Sequence, residues 1–135
     1  MAKDRFHDAV KIALEKERWI ITADPYEISV GDVDFEIDLA AEMLAAERAG
    51  EKIAVEIKSF IGRSSVSEFH TALGQFINYQ FALEEFEPDR QLYLAVPESI
   101  YNSFFQRRFI QSVIIRTRMR LLVYDETQEV IVQWL

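Results

Sequence analysis

The sequence has no cysteine and little glycine or proline. Its 135 residues include four glycines and three prolines. The lack of cysteine excludes disulfide frameworks, thiolate metal sites and cysteine nucleophiles, and it is consistent with a reducing compartment. The chain also lacks an apolar leader segment and any apolar run that approaches the length of a membrane span. These absences predict a cytoplasmic protein that is neither secreted nor held in a membrane.

Basic residues are scarce and unevenly distributed. The chain has 15 Lys and Arg against 23 Asp and Glu, a net charge of -8 that opposes binding to nucleic acid through bulk charge. Residues 101–120 nevertheless hold no acidic residue and contain the arginines Arg107, Arg108, Arg116, Arg118 and Arg120. This basic stripe suits phosphates, an acidic partner protein or the chain's own carboxylates, so the net charge does not exclude DNA.

The length and composition are those of one globular domain, which we place at residues 1–135. The apolar periodicity predicts helices near 4–18, 65–86 and 97–115, strands at 19–23, 34–39, 52–57 and 91–96, and a closing hairpin of 120–124 and 130–134. Residues 40–49 fit either an extension of the second strand or a short helix. The sequence therefore predicts an α/β fold with a mixed central sheet flanked by helices.

The third predicted strand carries the most unusual charges in the chain. Successive side chains of a strand alternate between its faces, so Ala54, Glu56 and Lys58 share one face of Lys52–Phe60. A carboxylate and an ammonium thus lie side by side at the end of a β-branched, apolar run. One interpretation is a cross-strand ion pair on a solvated sheet face, which would contribute little stability.

The other interpretation is a metal site for phosphodiester hydrolysis. A hard divalent cation neutralises charge on a phosphate and lowers the pKa of an attacking water, and carboxylate oxygens are its preferred ligands. If Asp38 lies beside Glu56 on paired strands, both bind one Mg²⁺ or Mn²⁺, and the backbone carbonyl of Ile57 adds a third ligand. Lys58 would then position the water or offset charge in the transition state. Asp34 and Glu36 share the predicted face of Asp38.

Asp38 followed by Glu56-Ile57-Lys58, in this order of elements, resembles the PD-(D/E)XK nuclease superfamily. The resemblance implies a restriction-endonuclease-like core, an αβββαβ mixed central sheet flanked by helices, here with a C-terminal helix and β-hairpin. It also implies an acid on the first helix, which Glu15 matches, and a glutamine on the helix after the lysine, which Gln75 matches, with Tyr79 one turn further on. The residue before Asp38 is isoleucine, where the superfamily signature has proline.

A closer resemblance, running the whole length, is to the XisH family. The segments that carry it are Phe6-His7-Asp8, Ile37-Asp38-Leu39-Ala40-Ala41-Glu42, Val55-Glu56-Ile57-Lys58-Ser59-Phe60, Gly74-Gln75-Phe76-Ile77-Asn78-Tyr79 and Ile131-Val132-Gln133-Trp134. XisH proteins are controlling factors for excision of the fdxN DNA element in heterocyst-forming cyanobacteria and act with a companion, XisI. The resemblance implies a role in programmed DNA rearrangement.

Three functions follow from these patterns. The first is a Mg²⁺-dependent deoxyribonuclease or nickase in which Asp38 and Glu56 hold the metal, Lys58 assists the water and Gln75 orients substrate. The second is an accessory factor of the same fold that binds DNA, or XisI and the recombinase, without cutting. The third is a nuclease toxin restrained by its companion.

Supporting positions are predicted with less specific signals. His7 belongs to a polar stripe on the first helix and is either a solvated or structural residue or a member of the site. Arg63, Arg107 and Arg108 are candidates for phosphate contacts. The aromatic terminal hairpin with Trp134 suggests a homodimer, which would place two active sites on two DNA strands.

Overall fold

The computed structural model describes residues 2–43, 50–62 and 64–135, with side chains from residue 5 onward. The helices are α1 (Ala2–Lys16), α2 (Ser65–Phe86), α3 (Glu98–Tyr101) and α4 (Arg108–Thr117), with a 3-10 turn at Phe104–Gln106. The strands are β1 (Trp19–Ala23), β2 (Tyr26–Val30), β3 (Val33–Ile37), β4 (Leu39–Met43), β5 (Lys52–Ile57), β6 (Arg90–Pro97), β7 (Leu121–Asp125) and β8 (Val130–Trp134).

A six-stranded mixed sheet of order β1-β4-β5-β6-β7-β8 forms the centre of the fold. β5, β6 and β7 run parallel, whereas β1, β4 and β8 pair antiparallel with their neighbours. The apolar side of α1 packs on one face through Val10 and Leu14, and α2 packs on the other through Phe69 and Phe76. The strands of this sheet between α1 and α2 are β1, β4 and β5, and the predicted mixed α/β fold, a central sheet flanked by helices, is confirmed.

The chain between β1 and β5 differs from the prediction. Residues 34–39 are not one strand: β3 pairs with β2 in a separate two-stranded sheet, the chain bends at Asp38, and β4 then enters the central sheet. β2 falls where the sequence predicts a loop. Ala40 and Ala41 lie in β4, where their small side chains are fully buried. The rest of the predicted helix-or-strand segment, residues 44–49, lies outside the described residues.

Tertiary packing also divides the predicted helix at residues 97–115. The 3-10 turn inserts Phe104 and Phe105 against Phe60 and Phe69, with ring centroids 5.3 to 6.2 Å apart. Both inserted rings are at most 5% exposed. Burial of these aromatic side chains outweighs the small helical propensity of the intervening residues, so the helix is interrupted.

The N-cap of α2 is Ser64, directly before the predicted start of this helix at residue 65. The Ser64 hydroxyl, not that of Ser65, accepts a hydrogen bond from the Ser67 N–H at 3.1 Å. Glu68 accepts one from the Gly62 N–H at 3.0 Å and so fastens the preceding turn to the helix. Among the described residues, no helix is both long and apolar enough to cross a membrane.

Candidate functional site

Asp38 and Glu56 lie opposite each other at one end of the β4–β5 pair. Leu39 pairs with Val55, and the same antiparallel register brings the preceding Asp38 beside Glu56. The Asp38 carboxylate accepts a hydrogen bond from the Ile57 N–H at 2.8 Å, and Glu56 accepts one from the Asp38 N–H at 3.2 Å. Each carboxylate therefore fixes the backbone of the other strand, which makes the pair rigid.

Burial and like charge together perturb the pair. Glu56 is 5% exposed, so it does not belong to a solvated sheet face. Burial, and then the neighbouring charge of Asp38, raise the pKa of Glu56 to about 7, although the Lys58 ammonium acts in the opposite direction. The Lys58 Nζ lies 3.6 Å from Glu56 Oε2. Lys58 therefore offsets only part of the negative charge at this corner.

The donor set fits a small, hard divalent cation. Both side chains offer carboxylate oxygens, and an added positive charge would relieve their mutual repulsion. Within the described ranges, no group of three or more His, Cys, Asp or Glu side chains is arranged to hold a metal. A pair of carboxylates suits Mg²⁺ or Mn²⁺, because Mg²⁺ is usually held by one or two carboxylates, with waters and substrate phosphates completing its shell.

Helix α2 brings two further predicted residues to this side of the sheet. Burial, followed by the charges of Glu56, Asp38 and Glu36, raises the pKa of Tyr79 to about 12, so its phenol feels the charges of the acidic pair. The ring also packs edge-on against Phe35 of β3, with centroids 6.0 Å apart. One turn before Tyr79, the Gln75 Oε1 is shielded from solvent and accepts no hydrogen bond from the described residues. The Gln75 side chain therefore offers a shielded carbonyl oxygen that is free to accept a hydrogen bond from a bound molecule.

Helix α1 borders the site through His7. This side chain lines a cleft of about 40 Å³ together with Phe6, Asp38, Ile57 and Ser59.

His7 is held by Asp24, at the turn that follows β1. Its Nε2 lies 2.8 Å from one Asp24 oxygen, and the Lys11 Nζ lies 2.7 Å from the other. Burial alone would raise the pKa of Asp24, but the hydrogen bonds from Lys11 and His7 outweigh it and hold that pKa below its ordinary value. Glu15 is exposed, and its charge acts on Lys11. His7 and Lys11 are thus tied to Asp24 rather than simply solvated, whereas Glu15 lies on the exposed part of the stripe.

The predicted phosphate contacts fall in different places. The Arg107 guanidinium lies over the Phe104 ring at 5.4 Å, and Phe104 packs on Phe60, two residues beyond Lys58. Arg108 is exposed in the first turn of α4. Arg63 lies outside the described residues. Arg107 is therefore linked to the site by two aromatic rings.

Phe60 is the residue near the site that no sequence pattern indicates. Its φ of +56° lies in the left-handed region, which is costly for a residue with a bulky side chain. The ring is 4% exposed and held between Phe104 and Phe105. This anchor fixes the path of the chain just after Lys58. The role of Phe60 is visible only in the tertiary contact with the 3-10 turn, because the sequence predicts neither its positive φ nor its packing against Phe104 and Phe105.

The fold and the site define a mixed α/β protein in which a helix-flanked central sheet holds a buried glutamate, a half-buried aspartate and a lysine at one end of two paired strands. Its family follows from a comparison with known proteins: the chain belongs to the XisH family, whose model, described as XisH protein, matches residues 1–132. Membership of the PD-(D/E)XK superfamily stays a prediction.

Two solved structures are similar over nearly the whole chain. One is an XisH family protein from Nostoc punctiforme PCC 73102, with 55% identity, a TM-score of 0.91 and coverage of 98% of this chain and 99% of that chain. The other is an fdxN element excision controlling factor protein from Anabaena variabilis, with 56% identity, a TM-score of 0.90 and coverage of 97% and 98%. Comparison with curated proteins gives no match.

Proposed function

We propose that this protein takes part in the excision of a DNA element as a Mg²⁺-dependent or Mn²⁺-dependent deoxyribonuclease or nickase. The observation that carries the proposal is the Asp38–Glu56 pair, in which Glu56 is buried and Asp38 half-buried, with Lys58 beside it. The role in excision follows the description of the Anabaena variabilis relative as an fdxN element excision controlling factor.

In this proposal Asp38 and Glu56 hold the metal, and the Ile57 carbonyl adds an oxygen ligand. The N–H and C=O of one strand residue point towards the same neighbour, and the Ile57 N–H already donates to Asp38. The bound cation would supply charge neutralisation at the phosphate and a water of lowered pKa. Lys58 would orient that water or offset charge on the scissile phosphate, because its ammonium lies beside Glu56 at the strand end.

The α2 side of the site would contact the substrate. Gln75 brings an acceptor that no described residue satisfies, and Tyr79 brings a phenol that stays protonated at neutral pH. Arg107 is the arginine linked to the site through Phe104 and Phe60, so we assign it to a backbone phosphate of the DNA.

The proposal is tested by cleavage of supercoiled plasmid DNA in Mg²⁺ or Mn²⁺ and by titration of Mn²⁺ into the protein. We expect nicking by the wild type, and loss of nicking with Glu56→Gln, Asp38→Asn and Lys58→Met. The two acid variants should also weaken Mn²⁺ binding at least tenfold, because each removes one of two charged ligands. Lys58→Met should retain Mn²⁺ binding, because it removes no ligand.

Lys52→Met is the matched control, because Lys52 lies at the other end of the same strand and pairs with Glu87 and Asp89. This variant should retain both nicking and Mn²⁺ binding. Nicking that survives Glu56→Gln and Lys58→Met would exclude the proposed site. No Mn²⁺ binding by the wild type would exclude the metal.

A second candidate function is that of an accessory factor that binds DNA, or the companion XisI and the recombinase, without cutting. The observation in its favour is the exposed apolar surface on α4 of a protein whose net charge of -8 disfavours DNA. This function predicts that the wild type binds its partner while plasmid DNA stays intact with either metal. Binding that depends on the Asp38–Glu56 pair would argue against it.

A further inference from the structure

Helix α4 is apolar on two sides. Its inner side packs into the core through Ile110, Val113 and Ile114. Its outward side carries Phe109 and Ile115, which are 74% and 73% exposed. A surface helix normally presents polar side chains of both charges to water, and clusters of exposed apolar side chains mark interaction sites. The outward side of α4 therefore has the composition of an interface.

Helical spacing places two arginines among these apolar side chains. Arg108, Ser112 and Ile115 follow one another at steps of four and three residues, and Phe109, Ser112 and Arg116 at steps of three and four. These five residues form one surface, here called the α4 face. Arg108 and Arg116 are exposed, and residues 101–120 contain no acid to neutralise them. Aromatic residues and arginine are the residues most enriched in the energetically important parts of protein interfaces.

A separate groove lies between α2 and the last residue of α4. It has a volume of about 210 Å³ and is lined by Phe76, Ile77, Gln80, Phe81 and Thr117, the last residue of α4. Phe81 at its edge is 61% exposed. The Gln80 Oε1 within it is shielded from solvent and accepts no hydrogen bond from any described residue. Such an acceptor is costly unless another molecule supplies a donor.

These features together select the kind of partner. We propose that the α4 face and the α2–α4 groove form a docking surface for a different protein, one that presents apolar side chains ringed by carboxylates. Its apolar residues would cover Phe109, Ile115 and Phe81, its carboxylates would meet Arg108 and Arg116, and a donor group would reach Gln80.

Charge and symmetry argue against two other molecules that could cover this surface, a second copy of the chain and duplex DNA. A second copy docked on this surface by a two-fold axis would bring Arg108 and Arg116 against the same residues, and like charges in an interface are unfavourable. Duplex DNA would leave Phe109 and Ile115 without partners on a backbone of phosphates, and the acidic remainder of the chain repels it. An acidic, apolar protein surface with one hydrogen-bond donor would match the exposed apolar side chains, the two arginines and the Gln80 oxygen.

The test places a photo-crosslinking benzoylphenylalanine at Ser112 of the full chain, expressed in its native cells, and at Val33 as a control. Val33 is 49% exposed and lies on β3, away from α4. The protein crosslinked from Ser112 but not from Val33 is then purified, and its affinity is measured for wild type, Phe109→Ser, Phe81→Ser and the double variant Arg108→Glu with Arg116→Glu.

We expect a crosslink to an acidic protein whose affinity falls at least tenfold with Phe109→Ser and with the double charge reversal. Phe81→Ser should weaken binding by a smaller factor, and Val33→Ser should leave it unchanged. The exposed positions of these residues leave the core intact, which circular dichroism would verify. A crosslink only to DNA, only to a second copy or to nothing would overturn the proposal, as would a partner whose affinity is the same for all variants.

Discussion

The two ends of the β5–β6 pair hold buried charge in opposite ways. At the start of β6, Arg90 has a side chain that is 5% exposed, but its guanidinium donates to the carbonyls of Ile53 and Ala41 and to both oxygens of Glu87. At the end of β5, Glu56 is equally buried, and its nearest ionised neighbours are another carboxylate and one lysine at 3.6 Å. In the first cluster the charge of Arg90 is matched by hydrogen-bonding partners of opposite charge, and we call it the complete cluster. In the second, the negative charge exceeds the positive charge of Lys58, and we call it the incomplete site.

The pKa values of the two glutamates record this difference. Hydrogen bonds from Arg90, outweighing partial burial, lower the pKa of Glu87 to about 2, whereas burial and Asp38 raise that of Glu56 to about 7. Compensated charge at one end fastens strands together. Uncompensated charge at the other end is tolerated only at a cost in stability, which is the usual sign of a site kept for function.

The largest effect is expected from breaking the complete cluster. Arg90→Met leaves Glu87 without its guanidinium partner and the carbonyls of Ile53 and Ala41 without their donor. The free energy of unfolding should fall by about 3 to 5 kcal/mol, as for other buried ion pairs that lose one member. Urea denaturation measures it. Arg108→Met, at an exposed position, is the control and should change the stability by less than about 0.5 kcal/mol; equal effects of both changes would refute the comparison.

A smaller effect is expected from the pH dependence of the incomplete site in the presence of a chelator. The folded pKa of Glu56 is about 7 and the ordinary value is 4.5. The stability contributed by this group is therefore fully present below pH 4.5 and is lost as pH rises through 7. The contribution of this group is roughly 3 kcal/mol. Glu56→Gln imitates the protonated form and should abolish that part of the loss between pH 5 and pH 8. An unchanged pH dependence in this variant would contradict the raised pKa.

The complete cluster should respond to pH with the opposite sign. The pKa of Glu87 is lowered to about 2 from 4.5, so its contribution is present above pH 4.5 and is lost as pH falls towards 2. Its contribution should be about 2 kcal/mol, since part of the side chain is exposed. Comparing wild type with Glu87→Gln at pH 3 and pH 6 measures it. A variant destabilised equally at both values would show that the hydrogen bonds, and not the charge, stabilise this end.

The smallest effect is expected from removing the Lys58 ammonium beside Glu56. Lys58→Met takes away a positive charge 3.6 Å from the carboxylate, so the pKa of Glu56 should rise further. Carboxyl ¹³C NMR titration of the protein follows this directly. Lys52→Met, at the other end of β5, should leave the pKa of Glu56 in place. A response to Lys52 rather than Lys58 would mean that the charge at this corner is controlled from elsewhere.

Local patterns in the sequence predicted much of this architecture and none of its irregularities. The alternation in β5 predicted that Ala54 lies on one face and Ile53, Val55 and Ile57 on the other, and in the structure Ala54 packs in the cluster of α2 and the other three in that of α1. The bend at Asp38 and the left-handed Phe60 could not be predicted, because both depend on contacts with distant strands and rings.

The sequence by itself indicated which groups can do chemistry here: the two-residue period of strands put Glu56 and Lys58 on one face, and the resemblance to the PD-(D/E)XK superfamily selected Asp38 over Asp34 and Glu36. The tertiary structure alone decided how deeply these groups are buried and which charged partners they have. It buried Glu56 against a second carboxylate, packed Tyr79 against Phe35 where it feels their charge, and gave Arg90, rather than this pair, the complete set of partners. Burial and long-range register are properties of the packed sheet, and no local pattern encodes them.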